Sequence, residues 1–316
     1  MTESSLKLTP LKSKLKINPT IFIRRLVWKI AIATLFLMAV GSATRVMNAG
    51  LACPDWPLCY GQLVPTQQMN LQVFLEWFHR FDASLIGFST ILLASLSWWW
   101  RKDLPNWLPW TSIVAFLLIV FQGVLGGLTV TQMLRFDIVT AHLGTALLFF
   151  GVLIAIATAL LPNQFPQITQ PVAIAQTIKR LGRIAAVTTV LVYLQSLLGG
   201  LVASRWALHQ CFNGYQLCNV MHGHLLGVVP PTVATLLLGW WTIRTPQIPP
   251  LFTKLATSVV SLVIVQIALG IATFKLHLQV EPLTITHQVI GASLLGVLVA
   301  FTILALRDTK VSTIRN

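Results

Sequence analysis

The stretch Leu75-Glu76-Trp77-Phe78-His79-Arg80 places an acid, an imidazole and a guanidinium inside the long apolar run 72–98. About 20 apolar residues are enough for a helix to cross a bilayer, so this run predicts a transmembrane helix. Ionisable side chains are costly in lipid and are usually functional there. Glu76 and His79 share one helix face, which suggests an acid or base beside a metal or haem ligand. The alternative is a helix end whose polar side chains reach the membrane surface.

The whole chain has the composition of an integral membrane protein. Of its 316 residues, 55% are hydrophobic and 9% are charged, which is too apolar for a soluble domain. The segment before residue 20 is polar and basic, so we expect no cleavable signal peptide. Apolar runs of spanning length predict an all-α membrane protein with eight helices, near 26–46, 72–98, 108–130, 137–161, 183–204, 219–243, 252–274 and 283–306.

The net charge of +14 does not indicate binding to nucleic acid, because the basic residues lie in short segments between apolar runs. With eight helices, most of the 22 lysines and arginines fall on one side of the membrane. The positive-inside rule predicts that this side, which carries both termini, faces the cytoplasm. The expected location is a bacterial inner membrane, with the loops 47–71 and 205–218 facing outward.

All four cysteines lie in those two outward loops, Cys53 with Cys59 and Cys211 with Cys218. An oxidising exterior favours one short-range disulfide in each loop. Free thiols and a zinc site of four cysteines are the alternatives. A structural role is the simpler interpretation for Cys211–Cys218, and the sequence leaves open whether either pair is redox-active.

Similar segments close helices 3, 5 and 7, and their small residues allow close approach of another helix or of a flat ligand. They are Gln122-Gly-Val-Leu-Gly-Gly-Leu-Thr-Val130, Gln195-Ser-Leu-Leu-Gly-Gly-Leu-Val-Ala203 and Gln266-Ile-Ala-Leu-Gly-Ile-Ala-Thr-Phe274. Gly41-Ser-Ala-Thr-Arg45 closes helix 1 in a related way. Histidines repeat too, because His79 and His224, like His142 and His287, are 145 positions apart.

The repeat predicts two four-helix bundles in the same orientation, related by a pseudo-twofold axis along the membrane normal. The expected division has a basic N-terminal segment, a first bundle, a cytoplasmic linker, a second bundle and a cytoplasmic tail. These segments comprise residues 1–25, 26–161, 162–182, 183–306 and 307–316.

The four repeated histidines are expected in one layer, about 8–11 Å inside the outer helix ends at 1.5 Å per residue. In each half, two imidazoles on alternate helices can face each other, like the axial ligands of a haem in a helical bundle. Simple hydrogen-bonded histidines are the alternative, and zinc or copper needs more converging ligands than each half supplies. His222 rivals His224 but breaks the spacing, while His209 and His277 are expected in loops or at helix ends.

Cations near the outer surface suit the propionates of a haem, because guanidinium groups pair well with carboxylates. The candidates, which could also simply snorkel to the surface, are Arg45, Arg80, Arg135, Arg205 and Lys275. The two halves differ at one position, because Met221 stands where the first half has Glu76. An acid beside only one site suggests that one haem site does chemistry and the other transfers electrons.

The chain resembles the haem A synthase family over residues 26–306. The resemblance rests on Gly50-Leu-Ala-Cys-Pro-Asp-Trp-Pro-Leu-Cys-Tyr-Gly61, Glu76-Trp-Phe-His-Arg80, Ala141-His-Leu-Gly144, Gly223-His224 and Thr286-His-Gln288. It implies oxidation of the C8 methyl of haem O to the formyl group of haem A, for cytochrome oxidase. One departure is Leu225, because an arginine follows the corresponding histidine in many relatives.

The resemblance also implies how the residues divide the work. Haem O, the substrate, would lie between His79 and His142, and haem b, the cofactor, between His224 and His287. Glu76 would act at the reacting methyl group, and the Cys53–Cys59 pair would take part in the redox step. Haem O synthase is the implied partner, beside an unidentified electron acceptor or donor, and the oligomeric state, a homo-oligomer included, is left open.

Two other functions stay open from the sequence. One is a bis-histidine dihaem protein that carries electrons across the membrane as a cytochrome b does. Such proteins commonly place their haems near opposite membrane faces, whereas the four histidines here share one depth. The other is a haem carrier without catalysis, which predicts that Glu76 is dispensable.

Overall fold

The computed structural model describes residues 18–162, 172–203, 218–276 and 280–307. Eight segments within these ranges are long and apolar enough to cross a membrane, which confirms the predicted all-α membrane fold. The helices are α1 (Pro19–Val46), α2 (Leu71–Trp99), α3 (Leu108–Thr131), α4 (Phe136–Ala159), α5 (Val172–Val202), α6 (Cys218–Gly227), α7 (Val229–Arg244), α8 (Pro250–Lys275) and α9 (Glu281–Arg307). Helices α6 and α7 together form the sixth span.

Two helices begin earlier than the apolar runs indicate. Helix α1 begins at Pro19, where the Asn18 side chain accepts a hydrogen bond of 3.2 Å from the Ile21 N–H. Asparagine at the N-cap followed by proline is a strong helix start. Helix α5 begins at Val172, so residues 172–182, which the sequence assigns to the linker, are helical. Hydropathy marks where a helix enters lipid, whereas glutamine and lysine continue a helix into water.

The sixth span is interrupted at Val228, between α6 and α7. Pro230 and Pro231 follow at once and have no N–H, so the carbonyls of Leu226 and Gly227 lose their helical donors. The interruption lies four residues after His224. The two prolines therefore separate the short helix that carries this histidine from the rest of its span.

The helices of each half pack in a closed ring that follows chain order. Helix α1 packs against α2 and α4, and α3 packs against α2 and α4. In the second half α5 packs against α6, α7 and α9, and α8 packs against α7 and α9. The same order of neighbours in both halves is what a duplicated bundle predicts, although the pseudo-twofold axis itself stays a prediction.

The two halves share one core, formed where α4 and α9 meet and where α1 and α5 flank them. The ring of Phe150 lies against Gly296, where a Cβ atom would stand only 2.9 Å from it. At the ends of the same helices, one Nη of Arg307 donates to the carbonyls of Thr158, Ala159 and Leu161 at 3.1, 2.9 and 2.8 Å. A guanidinium at a helix C-terminus satisfies carbonyls that lack helical donors. These contacts fix the two halves relative to each other.

The helix bundle has two opposite sides. The loop face is the side on which residues 47–70 connect α1 to α2. The terminal face is the opposite side, where α1 begins and α9 ends. Helices α2, α4, α6 and α9 all run from the loop face toward the terminal face.

Candidate functional site

The first half encloses a cavity of about 1230 Å³ near the loop face. Small-molecule sites usually measure roughly 300–1,000 Å³, so this cavity suits a ligand larger than most. All four helices α1 to α4 line it, and Gly200 and Gln288 reach it from the second half. The four-helix ring therefore surrounds a space of ligand size instead of a filled core.

His79 and His142 face each other across this cavity, from α2 and α4. Their ring centres are 6.5 Å apart and their planes meet at 64°. A metal–imidazole bond is about 2 Å long and the bonding nitrogen lies about 1 Å from the ring centre, so two imidazoles on one metal have centres about 6 Å apart. The sequence predicted this pair, and its spacing fits the axial ligation of one haem iron.

A glycine on the preceding span lies against each of the four histidine rings. A Cβ atom placed on the glycine would lie 2.8 Å from Cε1 of His79 (Gly41), 3.4 Å from that of His142 (Gly126), 3.0 Å from that of His224 (Gly199) and 3.1 Å from that of His287 (Gly270). A side chain at Gly41, Gly199 or Gly270 would press on the imidazole, whereas at Gly126 it would make ordinary contact. These glycines therefore leave room for the histidine rings. From the sequence they were expected only to allow close approach of another helix or of a flat ligand.

A glutamine one turn before three of these glycines also contacts the histidine. Gln122 donates to the His142 carbonyl at 2.9 Å, and Gln195 Nε2 lies 2.7 Å from the His224 carbonyl oxygen and 2.9 Å from Nδ1 of that ring. Gln266 Nε2 lies 3.3 Å from Nε2 of His287. The sequence alone assigns these glutamines no role. The shared spacing Gln-x-x-x-Gly, repeated in step with the histidines, was the signal.

Several buried polar atoms around the histidines have no hydrogen-bond partner. They are Oε1 of Gln122, Gln195 and Gln266. Buried polar atoms in folded proteins are nearly always paired, so such a group of atoms points to a ligand or to bound water. Both pairs of histidines therefore lie in surroundings that fit a haem.

The second pair occupies the corresponding place in the second half. His224 lies six residues after the start of α6 and His287 six residues after the start of α9, as His142 does in α4. The ring beside Gly199 and Gln195 is that of His224 and not that of its rival His222.

Glu76 is buried, with 4% of its surface exposed, and lines the cavity. Its Oε1 accepts a hydrogen bond of 2.6 Å from Arg80, with which it forms an ion pair. Its Oε2 accepts one of 2.8 Å from the Cys53 N–H. Arg80 also donates to the carbonyls of Asp55 and Leu58. Glu76 and Arg80 therefore hold the loop that covers the cavity.

That loop, residues 47–70, is called the cysteine loop below, and it contains the predicted disulfide Cys53–Cys59. The Trp77 indole donates to the Leu63 carbonyl at 2.7 Å. The ring of Trp56 lies against Gly127, where a Cβ atom would be 3.2 Å away. These contacts fasten the cysteine loop to α2 and α3 across the loop face of the cavity.

Asp55 shapes the tip of the cysteine loop. Its carboxylate accepts hydrogen bonds from the N–H groups of Gly61 at 2.8 Å and Tyr60 at 2.6 Å. The bond from Gly61, followed by that from Tyr60, holds the pKa of the Asp55 carboxyl below its usual value. The ionised form of Asp55 therefore stabilises the turn that follows the disulfide.

The cations predicted as propionate partners differ in their surroundings. Arg45 lines the cavity and donates to Gln288 Oε1 at 3.1 Å, and no described carboxylate forms an ion pair with it. Arg80 and Arg135 also line the cavity, but they are paired with Glu76 and Asp137, Arg135 at 2.7 Å. Lys275 is exposed at the end of α8. Arg205, Cys211, His209 and His277 lie outside the described residues, so the Cys211–Cys218 prediction is not addressed.

Gln288 is a site residue whose role the sequence did not reveal. It follows His287 on α9, yet its side chain reaches the first-half cavity and contacts Arg45 and the Met38 carbonyl. One turn of α9 thus contacts both halves. As for other metals, no group of three or more His, Cys, Asp or Glu that could hold an ion occurs among the residues that the structure describes.

Comparisons with known proteins agree with this geometry. The profile of a family described as cytochrome oxidase assembly protein matches residues 24–299. A protein named heme A synthase from Shewanella oneidensis is 28% identical, over 86% of this chain and 93% of its own. Another of that name, from Shouchella clausii, is 24% identical over 89% and 95% of the two chains. The chain therefore belongs to the cytochrome oxidase assembly protein family, as its resemblance to haem A synthases predicted.

Proposed function

We propose that this protein is a haem A synthase, which oxidises the C8 methyl of haem O to a formyl group. The observation that carries the proposal is the pair His79 and His142, 6.5 Å apart across a cavity of about 1230 Å³. Glu76 lines the same cavity. The relatives from Shewanella oneidensis and Shouchella clausii carry the name of this activity.

The first half holds the substrate haem in this proposal. His79 and His142 bind it from its two sides, and Gly41 and Gly126 leave space for their rings. Arg45 is the cation best placed for a propionate, because its described partner is the neutral amide of Gln288. A guanidinium in a water-poor site binds a carboxylate strongly. Arg80 and Arg135 are weaker candidates because each already has a carboxylate partner.

Glu76 is the proposed catalytic residue. Converting a methyl to a formyl group consumes one water and releases four protons and four electrons, so the site needs a proton acceptor and an electron acceptor. A buried carboxylate can take a proton or stabilise developing positive charge. Arg80 and the Cys53 N–H hold Glu76 in one orientation. The electrons leave to an acceptor that we describe only as a redox partner, and the Cys53–Cys59 pair is a candidate for passing them on.

The second half holds haem b between His224 and His287. When bound, this cofactor supplies electron transfer. The chain's own residues prepare the site, because Gly199 and Gly270 leave space for the two rings while Gln195 and Gln266 contact them. The absence of an acid at Met221 agrees with a site that performs no proton chemistry.

The remaining parts of the proposal concern the cell. We place the protein in a bacterial inner membrane with both termini in the cytoplasm, so that the cysteine loop lies outside. The two functional units are residues 26–161 and 183–306, with segments 1–25, 162–182 and 307–316 on the cytoplasmic side. Haem O synthase is the partner that would deliver the substrate.

Pigment extraction tests the proposal. Cells that make haem O but lack their own haem A synthase are given this protein, and their haems are separated and identified by mass. We expect formyl-bearing haem A with the wild type and none with Glu76→Gln or His79→Ala, while the haem b spectrum of the purified Glu76→Gln protein persists. Production of haem A by Glu76→Gln would remove Glu76 from the mechanism. Haem-loaded protein that never yields haem A would favour the electron carrier or the haem carrier.

A further inference from the structure

The first-half cavity continues well below the histidine pair, toward the terminal face. Its deepest lining residues are Ile91 on α2, twelve residues beyond His79, and Phe116 on α3, ten residues before Gly126. At 1.5 Å per residue these steps correspond to about 15–18 Å along the helices. A flat macrocycle held at the histidines leaves this deep part unfilled.

The deep part extends sideways to the edge of the bundle, between α2 and α3. This edge, called the side opening, is bordered by Ser84, Gly87, Ile91, Phe116, Val120 and Gly123, all of which line the cavity. A Cβ atom placed on Gly87 or Gly123 would meet nothing within 4 Å. One turn from Ile91 and Val120, the exposed side chains of Phe88 and Val124 no longer line the cavity. The lining of the cavity therefore borders directly on the outer surface of α2 and α3.

The two helices are joined below the side opening. The hydroxyl of Ser112 on α3 donates to that of Ser97 on α2 at 3.0 Å, and the rings of Trp98 and Trp110 meet edge to face with centres 5.6 Å apart. Toward the loop face, Trp56 of the cysteine loop lies on Gly127 of α3. The side opening is thus a bounded window between two contacts, and not a general separation of α2 from α3.

Polarity divides the cavity into two parts. The charged residues that line it are Arg45, Glu76, Arg80 and Arg135, and all four lie at the level of the histidines or nearer the loop face. The described residues that line the deep part carry no charge. Such a cavity fits an amphiphile whose acidic groups point to the loop face and whose apolar part points to the middle of the membrane.

We propose that the side opening between α2 and α3 holds an apolar chain attached to the substrate haem, which passes through the window into the lipid. This inference rests on the proposed function, because it takes the haem between His79 and His142 as given. Gly87 and Gly123 are then specificity residues: they distinguish haem O, which carries a long apolar chain, from protohaem, which has none. The window is also the route by which a lipid-dissolved haem enters.

Titration of two haems separates the possibilities. The purified protein in detergent, already carrying haem b, is titrated with haem O or with protohaem, and absorbance changes that disappear in His79→Ala report the first-half site. Gly87→Phe and Gly123→Phe should weaken binding of haem O about tenfold, the loss expected if two or so methylene groups stay outside the cavity. Both variants should bind protohaem as the wild type does. Leu85→Phe and Val124→Phe, which add similar bulk at lipid-facing positions outside the cavity, should change neither affinity.

Two results would overturn the inference while the proposed function stands. One is unchanged affinity for haem O in both glycine variants, as expected if a lipid acyl chain fills the window. The other is an equal loss of affinity for both haems, which would show that the window is part of the binding site of the macrocycle itself. A wild type that binds neither haem in a His79-dependent manner would instead remove the proposed function. The haem b spectrum of each variant shows whether the protein is folded.

Discussion

Gly41 on α1 lies against the ring of His79 on α2, so closely that a Cβ atom on the glycine would stand 2.8 Å from Cε1 of the imidazole. Real Cβ atoms essentially never come so near, so an alanine here must displace the ring. At Gly126 the corresponding distance to His142 is 3.4 Å, which is ordinary contact. The two histidines of the first-half cavity are therefore expected to respond differently to an alanine at the neighbouring glycine.

We expect Gly41→Ala to weaken binding of the substrate haem about ten- to hundredfold, since overpacking costs about 1–3 kcal/mol. Gly126→Ala is the matched control and should bind haem within about threefold of the wild type. Absorbance titration of the first-half site measures both affinities. Equal effects of the two substitutions would show that the glycines do not position the rings.

Gln288 and Arg45 give a second prediction, because their hydrogen bond of 3.1 Å joins the two halves. Gln288→Leu keeps the volume but removes the acceptor, and a lost hydrogen bond to a charged group costs about 1.5–3 kcal/mol. The variant should therefore unfold at a lower temperature in detergent. Loss of the haem b absorbance on heating measures this unfolding.

Gln288→Glu separates stability from ligand binding. A carboxylate at this position pairs with Arg45, so the protein should unfold no earlier than the wild type. The same pairing competes with a haem propionate, so the affinity for haem O should fall. If Gln288→Glu bound haem O as tightly as the wild type, Arg45 would not be the propionate partner.

The helices and their order were readable from the sequence, because apolar runs of spanning length have few alternatives. The spacing of His79, His142, His224 and His287 also predicts two histidine pairs as haem ligands. What it does not reveal is the surroundings of those histidines. Which glycine lies on which ring depends on helix rotation and tilt, and these are set by packing and not by hydropathy.

The hydrogen bonds of Glu76 are a second feature that the sequence does not predict. Its place on the same helix face as His79 was expected, but its bonds to Arg80 and to the Cys53 N–H were not. The partner on the cysteine loop is 23 residues away along the chain, and a loop's path cannot be read from residue spacing. The role of Gln288 is hidden from the sequence for a related reason, because its contact with Arg45 spans 243 residues.

The ion pair of Glu76 and Arg80 leads to a third prediction, on the cysteine loop. Arg80→Ala removes the donor to the Asp55 and Leu58 carbonyls and leaves the buried Glu76 charge unpaired. Breaking a buried pair costs about 3–5 kcal/mol, and the loop should open more often. We expect a water-soluble phosphine to reduce Cys53–Cys59 at least about tenfold faster than in the wild type, measured by mass labelling of the two thiols.

Arg80→Lys is the control that keeps the positive charge but removes the planar guanidinium. Lysine can pair with Glu76, but its single ammonium group cannot also reach both loop carbonyls. Its reduction rate should lie between those of the wild type and Arg80→Ala. Identical rates in all three proteins would show that Arg80 does not hold the loop.

Asp55 makes the same loop sensitive to acid. Its pKa lies below the usual value of about 3.9, chiefly because the Gly61 N–H donates to the ionised carboxylate. A lowered pKa means that the opened loop binds more protons than the closed loop. The closed loop is therefore stabilised above about pH 4 and loses that stabilisation as the pH falls through its own pKa.

Phosphine reduction of Cys53–Cys59 measures this response, with each rate divided by the rate for an oxidised peptide of residues 50–61. The normalised rate should stay constant from about pH 7 to 5 and rise below about pH 4. Asp55→Asn keeps the shape without the charge, so its normalised rate should be higher and independent of pH. The same rise in Asp55→Asn would assign the acid response to another group.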